Sequence, residues 1–138
     1  MNDTELRALL NGATTIAVVG ASTNPDKAAN RIPEVLLRAG YTMIPVHPTA
    51  KEILGQTAYP SLADVPVPID IVDVFRPPAE AAGIAEQSAA VGAKAVWLQA
   101  GIASEDAGAV ARRAGIAFVE NLCIGETSKR LGTHPPEG

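Results

Sequence analysis

The chain has 138 residues, 47% of them hydrophobic and 19% charged, which suits one domain with a packed core. Eleven Lys and Arg against fifteen Asp and Glu residues give a net charge of −4, which argues against broad electrostatic binding to nucleic acid or anionic membranes. The single cysteine, Cys123, excludes an internal disulfide. An acidic start and the lack of an apolar run of ~20 residues predict a cytoplasmic protein.

Segments with strand character alternate with segments of helical character along the chain. A helix is predicted over residues 3–11 and a strand buried on both faces over Thr15–Val19. The further predicted helices cover 29–39, 79–91, the segment between Ser104 and Gly115, and 125–131. The further predicted strands cover 41–46, 69–75, 95–98 and 116–119, with one short strand near 56–59 in an irregular connection.

Strands that alternate with helices imply right-handed crossovers and a parallel sheet covered by helices on both faces. The sequence therefore predicts an α/β fold with a single doubly wound, Rossmann-like parallel sheet of about five strands. Residues 1–131 are expected to form this domain, and residues 132–138 a loose tail.

The loop after the first strand is a candidate phosphate-binding loop. Gly20 permits a tight turn, after which the amides of the loop and of the next helix can meet an anion. Ser22 and Asn24 add polar contacts, and Lys27 and Arg31 add positive charge. The alternative is an ordinary strand-to-helix turn with solvated bases.

This loop is not a dinucleotide fingerprint, because it keeps only the first glycine of G-x-G-x-x-G. A nicotinamide site also requires an acidic residue after the second strand. That strand ends at His47 and Pro48, with Lys51 just beyond. A base in this place favours a phosphorylated ribose, so NADP or coenzyme A (CoA) is preferred to NAD.

Several motifs resemble those of the small stand-alone CoA-binding proteins, which are similar to the N-terminal CoA-binding domain of the succinyl-CoA synthetase α-subunit. They are Val19-Gly-Ala-Ser22, Asn24-Pro-Asp-Lys27, Gly40-Tyr-x-x-Ile-Pro-Val-x-Pro48, Asp70-Ile-Val-Asp-Val-Phe-Arg-Pro-Pro78, Trp97-Leu-Gln-x-Gly-Ile102 and Cys123. The resemblance extends from about residue 14 to residue 131. It implies a Rossmann-like domain of the CoA-binding type that binds CoA or acyl-CoA without catalytic machinery.

The resemblance also implies roles for individual residues. The CoA phosphates would be held by Gly20, Ala21, Ser22, Thr23, Asn24, Lys27 and Arg31. The adenosine and its 3′-phosphate would lie near Val46, His47, Pro48 and Lys51. The adenine side would be walled by Phe75, Arg76, Pro77 and Pro78, and Leu98, Gln99 and Ala100 would follow the pantetheine or phosphate side.

Two differences from the synthetase domain limit the transfer of residue roles to this sequence. Asn24 and Pro25 stand where the synthetase loop carries glycine, so the pyrophosphate geometry can differ. The phosphohistidine of the synthetase belongs to a second domain without a counterpart in these 138 residues. Succinyl-CoA synthetase chemistry is therefore not implied.

Cys123 precedes the predicted helix 125–131, and its simplest interpretation is a buried small apolar residue. The sharper hypothesis is that its sulfur approaches the pantetheine thiol and forms a mixed disulfide with it. No Gly-x-Ser-x-Gly motif is present, and neither His47 nor His134 can be placed beside Cys123. Asp70 and Asp73 are three residues apart on a predicted strand and should face opposite sides of the sheet.

The sequence thus predicts binding without catalysis and no metal site. The alternatives are a small NADP-dependent oxidoreductase or a reduced acyl-CoA ligase subunit, and an interaction module with a vestigial pocket. The expected partner is a small molecule, with self-association through the Ala-rich helix 79–91 or an unidentified protein partner left open.

Overall fold

The computed structural model describes residues 1–137. The helices are α1 Asp3–Asn11, α2 Ala28–Arg38, α3 Pro78–Ala90, α4 Glu105–Ala114 and α5 Ile124–Leu131. The strands are β1 Thr15–Val19, β2 Thr42–Val46, β3 Glu52–Ile53, β4 Gln56–Thr57, β5 Ile71–Val74, β6 Ala95–Leu98 and β7 Ala117–Val119. These elements confirm the predicted helices and strands, with boundaries within two residues of those expected, and β3 is an additional strand that was not predicted.

The central sheet has five parallel strands in the order β2-β1-β5-β6-β7. The chain therefore moves outward in one direction from β1 to β2 and in the other from β5 to β7. This confirms the doubly wound, Rossmann-like fold, and it places the reversal of strand order between β1 and β5. The small strands β3 and β4 form an antiparallel hairpin within the long connection between β2 and β5.

Helices cover both faces of the sheet. Helices α1, α2 and α5 pack on one face, over a core that includes Ile16, Leu36 and Trp97, all fully buried. Helices α3 and α4 pack on the other face, around Val72 and Val96. Within residues 1–137, no helix combines the length and the apolar content needed to cross a membrane.

The ends of α4 show why local sequence signals were reliable there. The Ser104 side chain accepts a hydrogen bond from the Ala107 amide at 3.1 Å, which caps the first turn. Acidic residues occupy the first turn and two arginines the last, where each complements the helix dipole. Gly115 ends the helix in the left-handed conformation, with φ of 72°.

One polar side chain is enclosed in the core. Asp73 lies on β5, in register with Val18 of β1 and Trp97 of β6, and it is 0% exposed. Neither carboxyl oxygen has a hydrogen-bond partner among the side-chain and main-chain groups of residues 1–137. Burial raises the pKa of this carboxyl well above 3.8.

The two ends of the described chain lie together. Arg130 near the end of α5 forms a bidentate ion pair with Asp3 of α1, at 2.8 and 3.0 Å. The Tyr41 hydroxyl donates to the Leu10 carbonyl at 2.8 Å and lies 3.1 Å from the hydroxyl of Thr133, which is buried. The start of the segment expected to be a loose tail is therefore packed against the domain. The boundary at residue 131 stays a prediction, and Gly138 lies outside the described residues.

Candidate functional site

A cavity of about 1280 Å³ opens at the carboxyl edge of the sheet. Loops that follow β1, β2, β5 and β6 line it, together with the start of α5. Gly20 stands at the strand-order reversal with φ of 88°. A Cβ atom at this position would lie 2.6 Å from the Phe75 carbonyl oxygen and 2.9 Å from Arg76 Cδ, so only glycine lets the two loops approach this closely.

The cavity brings together the predicted site residues, Ala100 included, with the exception of Asn24, Lys51, Pro78 and Leu98. Those that line it are Gly20, Ala21, Ser22, Thr23, Lys27, Arg31, Val46, His47, Pro48, Phe75, Arg76, Pro77 and Gln99. Asn24 shapes the loop: its side chain accepts from the Asp26 amide at 2.9 Å, and its own amide donates to Ser22 Oγ at 3.0 Å. Lys51 is exposed at the start of the β3–β4 hairpin, where its carbonyl accepts from the Ala58 amide.

The N-terminus of α2 faces this cavity. Lys27 is the N-cap residue and has no side-chain capping bond. Ala28 and Ala29 both line the cavity, and as the first helical residues their amides have no partner within the helix. Arg31 is held towards the loop by its hydrogen bond to the Asp26 carbonyl. Free amides, the helix dipole and two cations make this end of the cavity suited to an anion.

His47 presents a fixed hydrogen-bond donor. Its Nδ1 atom accepts from the amides of Thr49 and Ala50, at 3.1 and 2.8 Å. An amide can donate only to a nitrogen without a proton, so these contacts assign the proton of the neutral ring to Nε2. Because His47 lines the cavity, its Nε2–H is available to an acceptor on a ligand.

Arg76 is paired rather than free. Its guanidinium donates to Glu80 through Nε at 3.2 Å and through a terminal nitrogen at 2.8 Å. The hydrogen bond and the charge of Glu80 raise the pKa of Arg76. Glu80 also lines the cavity and was missed by the sequence analysis, although its position four residues after Arg76 at the start of a helix is a signal for such a pair.

The buried Gln99 side chain joins the end of β6 to the start of α5. It is only 4% exposed, and its Oε1 atom accepts from the Ile124 amide at 3.0 Å. The preceding residue, Cys123, is half-buried and is the N-cap residue of α5. Cys123 and Glu126 both line the cavity beside Gln99.

Part of the cavity wall comes from the long connection after β2. A parallel bridge between Val46 and Tyr59 brings this segment alongside β2. The residues that follow, Pro60, Ser61 and Leu62, then line the cavity. The sequence analysis missed them because composition does not show where an irregular connection folds back.

Asp70 and Asp73 do not form a paired site. Asp70 precedes β5 and accepts from the Thr14 and Thr15 amides, at 2.8 and 2.9 Å, while Lys94 lies 3.3 Å away. Burial by itself raises the pKa of Asp70, but these hydrogen bonds and the lysine outweigh it and lower the pKa overall. Asp70 therefore stabilises the start of β1 through hydrogen bonds to its first amides, whereas Asp73 is enclosed in the core.

Comparison with known proteins identifies the family of this chain. A family model described as a CoA binding domain matches residues 14–128. The chain therefore belongs to the CoA-binding domain family. This finding confirms the resemblance to small stand-alone CoA-binding proteins that the sequence motifs indicated.

Individual relatives agree with this assignment. The chain is 38% identical over 120 residues to the YneT protein of Bacillus subtilis (strain 168), covering 87% of this chain and 89% of that one. A solved structure from Thermus thermophilus superimposes with a TM-score of 0.90 at 41% identity, covering 95% of this chain and 99% of that one. The chain is also 31% identical to the ADP-forming acetate–CoA ligase I of Archaeoglobus fulgidus, covering 80% of this chain but 18% of the ligase.

Proposed function

We propose that this protein binds CoA or acyl-CoA in the cavity at the carboxyl edge of its sheet. The observation that supports this most directly is that a member of the CoA-binding domain family has one large cavity at the strand-order reversal. Open parallel sheets bind their ligands at this point. The separate motifs that resemble CoA-binding proteins meet there.

The phosphates would lie between the loop after β1 and the N-terminus of α2. The Ala28 and Ala29 amides have no partner within the helix, and Lys27 and Arg31 supply charge. Gly20 leaves room for this approach, because any larger residue would collide with the β5 loop. The free amides and both cations favour a doubly charged pyrophosphate over a neutral ligand.

The adenosine part would lie towards β2 and the Phe75–Pro77 wall. The His47 Nε2–H donor is suited to the 3′-phosphate, and this role passes to His47 because Lys51 lies outside the cavity lining. Arg76 is held by Glu80 with its stem over Gly20. This arrangement supports a role for Arg76 as a rigid wall rather than as a free phosphate ligand.

The test is calorimetric titration of nucleotide-free protein with CoA, with NADP and NAD as comparisons. Saturable binding of CoA, without comparable binding of NADP or NAD, is the expected result. Lys27→Ala should weaken CoA binding by about tenfold, as expected for loss of a charge-assisted phosphate contact. Lys129→Ala is the matched control, because Lys129 is exposed in the last turn of α5 and does not line the cavity.

Other outcomes would overturn the proposal in different ways. Binding of NADP alone would favour the oxidoreductase alternative. No binding of any of the three would favour the interaction module and a search for a protein partner. Cytoplasmic location and the absence of catalytic turnover stay predictions.

A further inference from the structure

Cys123 lines the cavity together with groups that fit a reactive carbonyl. We propose that Cys123 accepts the acyl group of a bound acyl-CoA and becomes an S-acyl cysteine. The inference rests on the proposed function, since acyl-CoA must first occupy the cavity. Cys123 is half-buried, lines that cavity, and leaves its sulfur uncommitted because its side chain makes no capping bond to α5.

The first of these groups is the carboxamide of Gln99. Its Oε1 atom accepts from the Ile124 amide at 3.0 Å, which fixes the orientation of the carboxamide and directs Nε2 away from that amide. Nε2 makes no hydrogen bond within residues 1–137, although the side chain is only 4% exposed. Among the described residues, the enclosed polar atoms without a partner are those of the Asp73 carboxyl, so Gln99 Nε2 keeps access to the cavity and can donate to a ligand there.

The second group is the start of α5 itself. The Gly125 and Glu126 amides have no partner within the helix, because they belong to its first turn. The Thr127 amide and hydroxyl are both used by the Cys123 carbonyl, at 3.0 and 2.8 Å, which fixes the N-cap residue in place. Free amides and the helix dipole stabilise negative charge that develops on an oxygen beside Cys123.

This set of donors distinguishes a thioester from other parts of the ligand. A thioester carbonyl oxygen gains negative charge as a thiolate adds to its carbon, and the Gln99 donor and the α5 amides can stabilise it. A disulfide offers no such oxygen. The Glu126 carboxylate lines the same end of the cavity and has no ion-pair partner within residues 1–137, so it opposes a permanently charged phosphate more than a thioester, which is neutral until the thiolate adds.

The chemical step is balanced without any further reactant. The Cys123 thiolate forms a C–S bond to the acyl carbon, and the C–S bond to CoA breaks. CoA leaves as a thiolate and takes up the proton that Cys123 released. One thioester replaces another, so no oxidant or reductant is required.

The fold favours retention of the acyl group over its hydrolysis. His47 follows β2 and Gln99 follows β6, and the two intervening strands separate them by about 14 Å at the usual strand spacing. His47 Nδ1 is also occupied by two amides. His47 is therefore not placed to activate water at Cys123, and a single stoichiometric transfer is expected.

The experiment is incubation with acetyl-CoA, followed by acid quenching and intact-mass measurement. The expected product carries one acetyl group, which peptide mapping places on Cys123 and neutral hydroxylamine removes. At saturating acetyl-CoA, Gln99→Leu should slow the transfer by about a hundredfold, as for loss of one oxyanion donor. Gln99→Glu keeps an acceptor for the Ile124 amide but loses the donor, so it should also be slow. Gln56→Leu, on β4 outside the cavity lining, is the matched control.

Calorimetry with acetyl-CoA, run in parallel, distinguishes a failure of ligand binding from a failure of acyl transfer. If acetyl-CoA does not bind, the proposed function fails. If it binds but gives neither an adduct nor release of CoA, the acyl-transfer inference is wrong and the binding function stands. An adduct on a lysine instead of Cys123 also overturns the inference. So does transfer at the wild-type rate in both Gln99 variants, provided that their thermal unfolding shows them to be folded.

Discussion

Substitution of Asp73 by asparagine tests the enclosed carboxyl of the core. Burial raises the pKa of Asp73 well above 3.8 in the folded protein, whereas the unfolded chain keeps an ordinary value. Between these two pKa values the folded state holds one proton more than the unfolded state. The contribution of protonated Asp73 to the free energy of unfolding is therefore fully present below about pH 3.8 and is lost as the pH rises through the folded-state pKa. One proton corresponds to a slope of about 1.4 kcal/mol per pH unit.

The assay is urea unfolding of the wild type and Asp73→Asn at intervals from roughly pH 4 to 8. Asparagine does not ionise, so the difference between the two free energies of unfolding isolates this carboxyl from groups that both proteins share. Relative to the wild type, the variant should gain about 1.4 kcal/mol per pH unit until the folded-state pKa is reached. If the free energies of unfolding of the two proteins differ by a constant amount over the whole pH range, the raised pKa of Asp73 is refuted.

Asp70→Asn is the control with the opposite sign. The amides of Thr14 and Thr15 and the Lys94 ammonium lower the pKa of Asp70 despite its burial. Its stabilisation is therefore present above the unfolded-state pKa and is lost as the pH falls through the folded-state pKa. The variant should be less stable than the wild type at neutral pH, and the gap should narrow in acid.

The remaining predictions concern the cavity. Gly20→Ala should lower the free energy of unfolding by about 2 kcal/mol or more and weaken CoA binding, because its Cβ would lie 2.6 Å from a β5-loop carbonyl at φ of 88°. Gly83→Ala is the control, because a Cβ there meets open space in α3. Equal thermal unfolding temperatures for the two variants would contradict the predicted collision. CoA without its 3′-phosphate should bind the wild type more weakly than CoA in calorimetry, and His47→Ala should remove that difference; a preference that survives in the variant would exclude His47 from this contact. Oxidised CoA should form a disulfide adduct with the wild type but not with Cys123→Ser, and intact-mass measurement detects the adduct. A wild-type protein that stays unmodified would refute the hypothesis of a mixed disulfide with Cys123.

The sequence was most informative where structure depends on neighbours along the chain. The apolar run of β1 followed by Gly20 predicted both a buried strand and a tight turn, and the turn has the positive φ that glycine permits. The ends of α4 follow from Ser104 and Gly115, whose effects are limited to a single helical turn. Because parallel strands end at one edge, the order of the elements also predicted where the cavity would form.

The sequence was less informative where a contact joins distant parts of the chain. The hydrogen bond from the Ile124 amide to Gln99 spans 25 residues and depends on where α5 docks. Lys51 was expected in the site from its place after β2, but the β3–β4 hairpin places it at an exposed position instead. Thr133 was expected in a loose tail, yet its hydroxyl lies 3.1 Å from the hydroxyl of buried Tyr41, which stands 92 residues earlier, just before β2.

The ion pair between Asp3 and Arg130 brings both ends of the domain to one place on its surface. Helix α5 begins at the cavity, and its eight residues extend about 12 Å, so that place lies about one helix length from the cavity. Neither Asp3 nor Arg130 is among the residues that line the cavity. The domain can thus serve as a transferable module, fit for fusion, for insertion into a host loop, or for circular permutation with new ends at the Leu54–Gly55 turn.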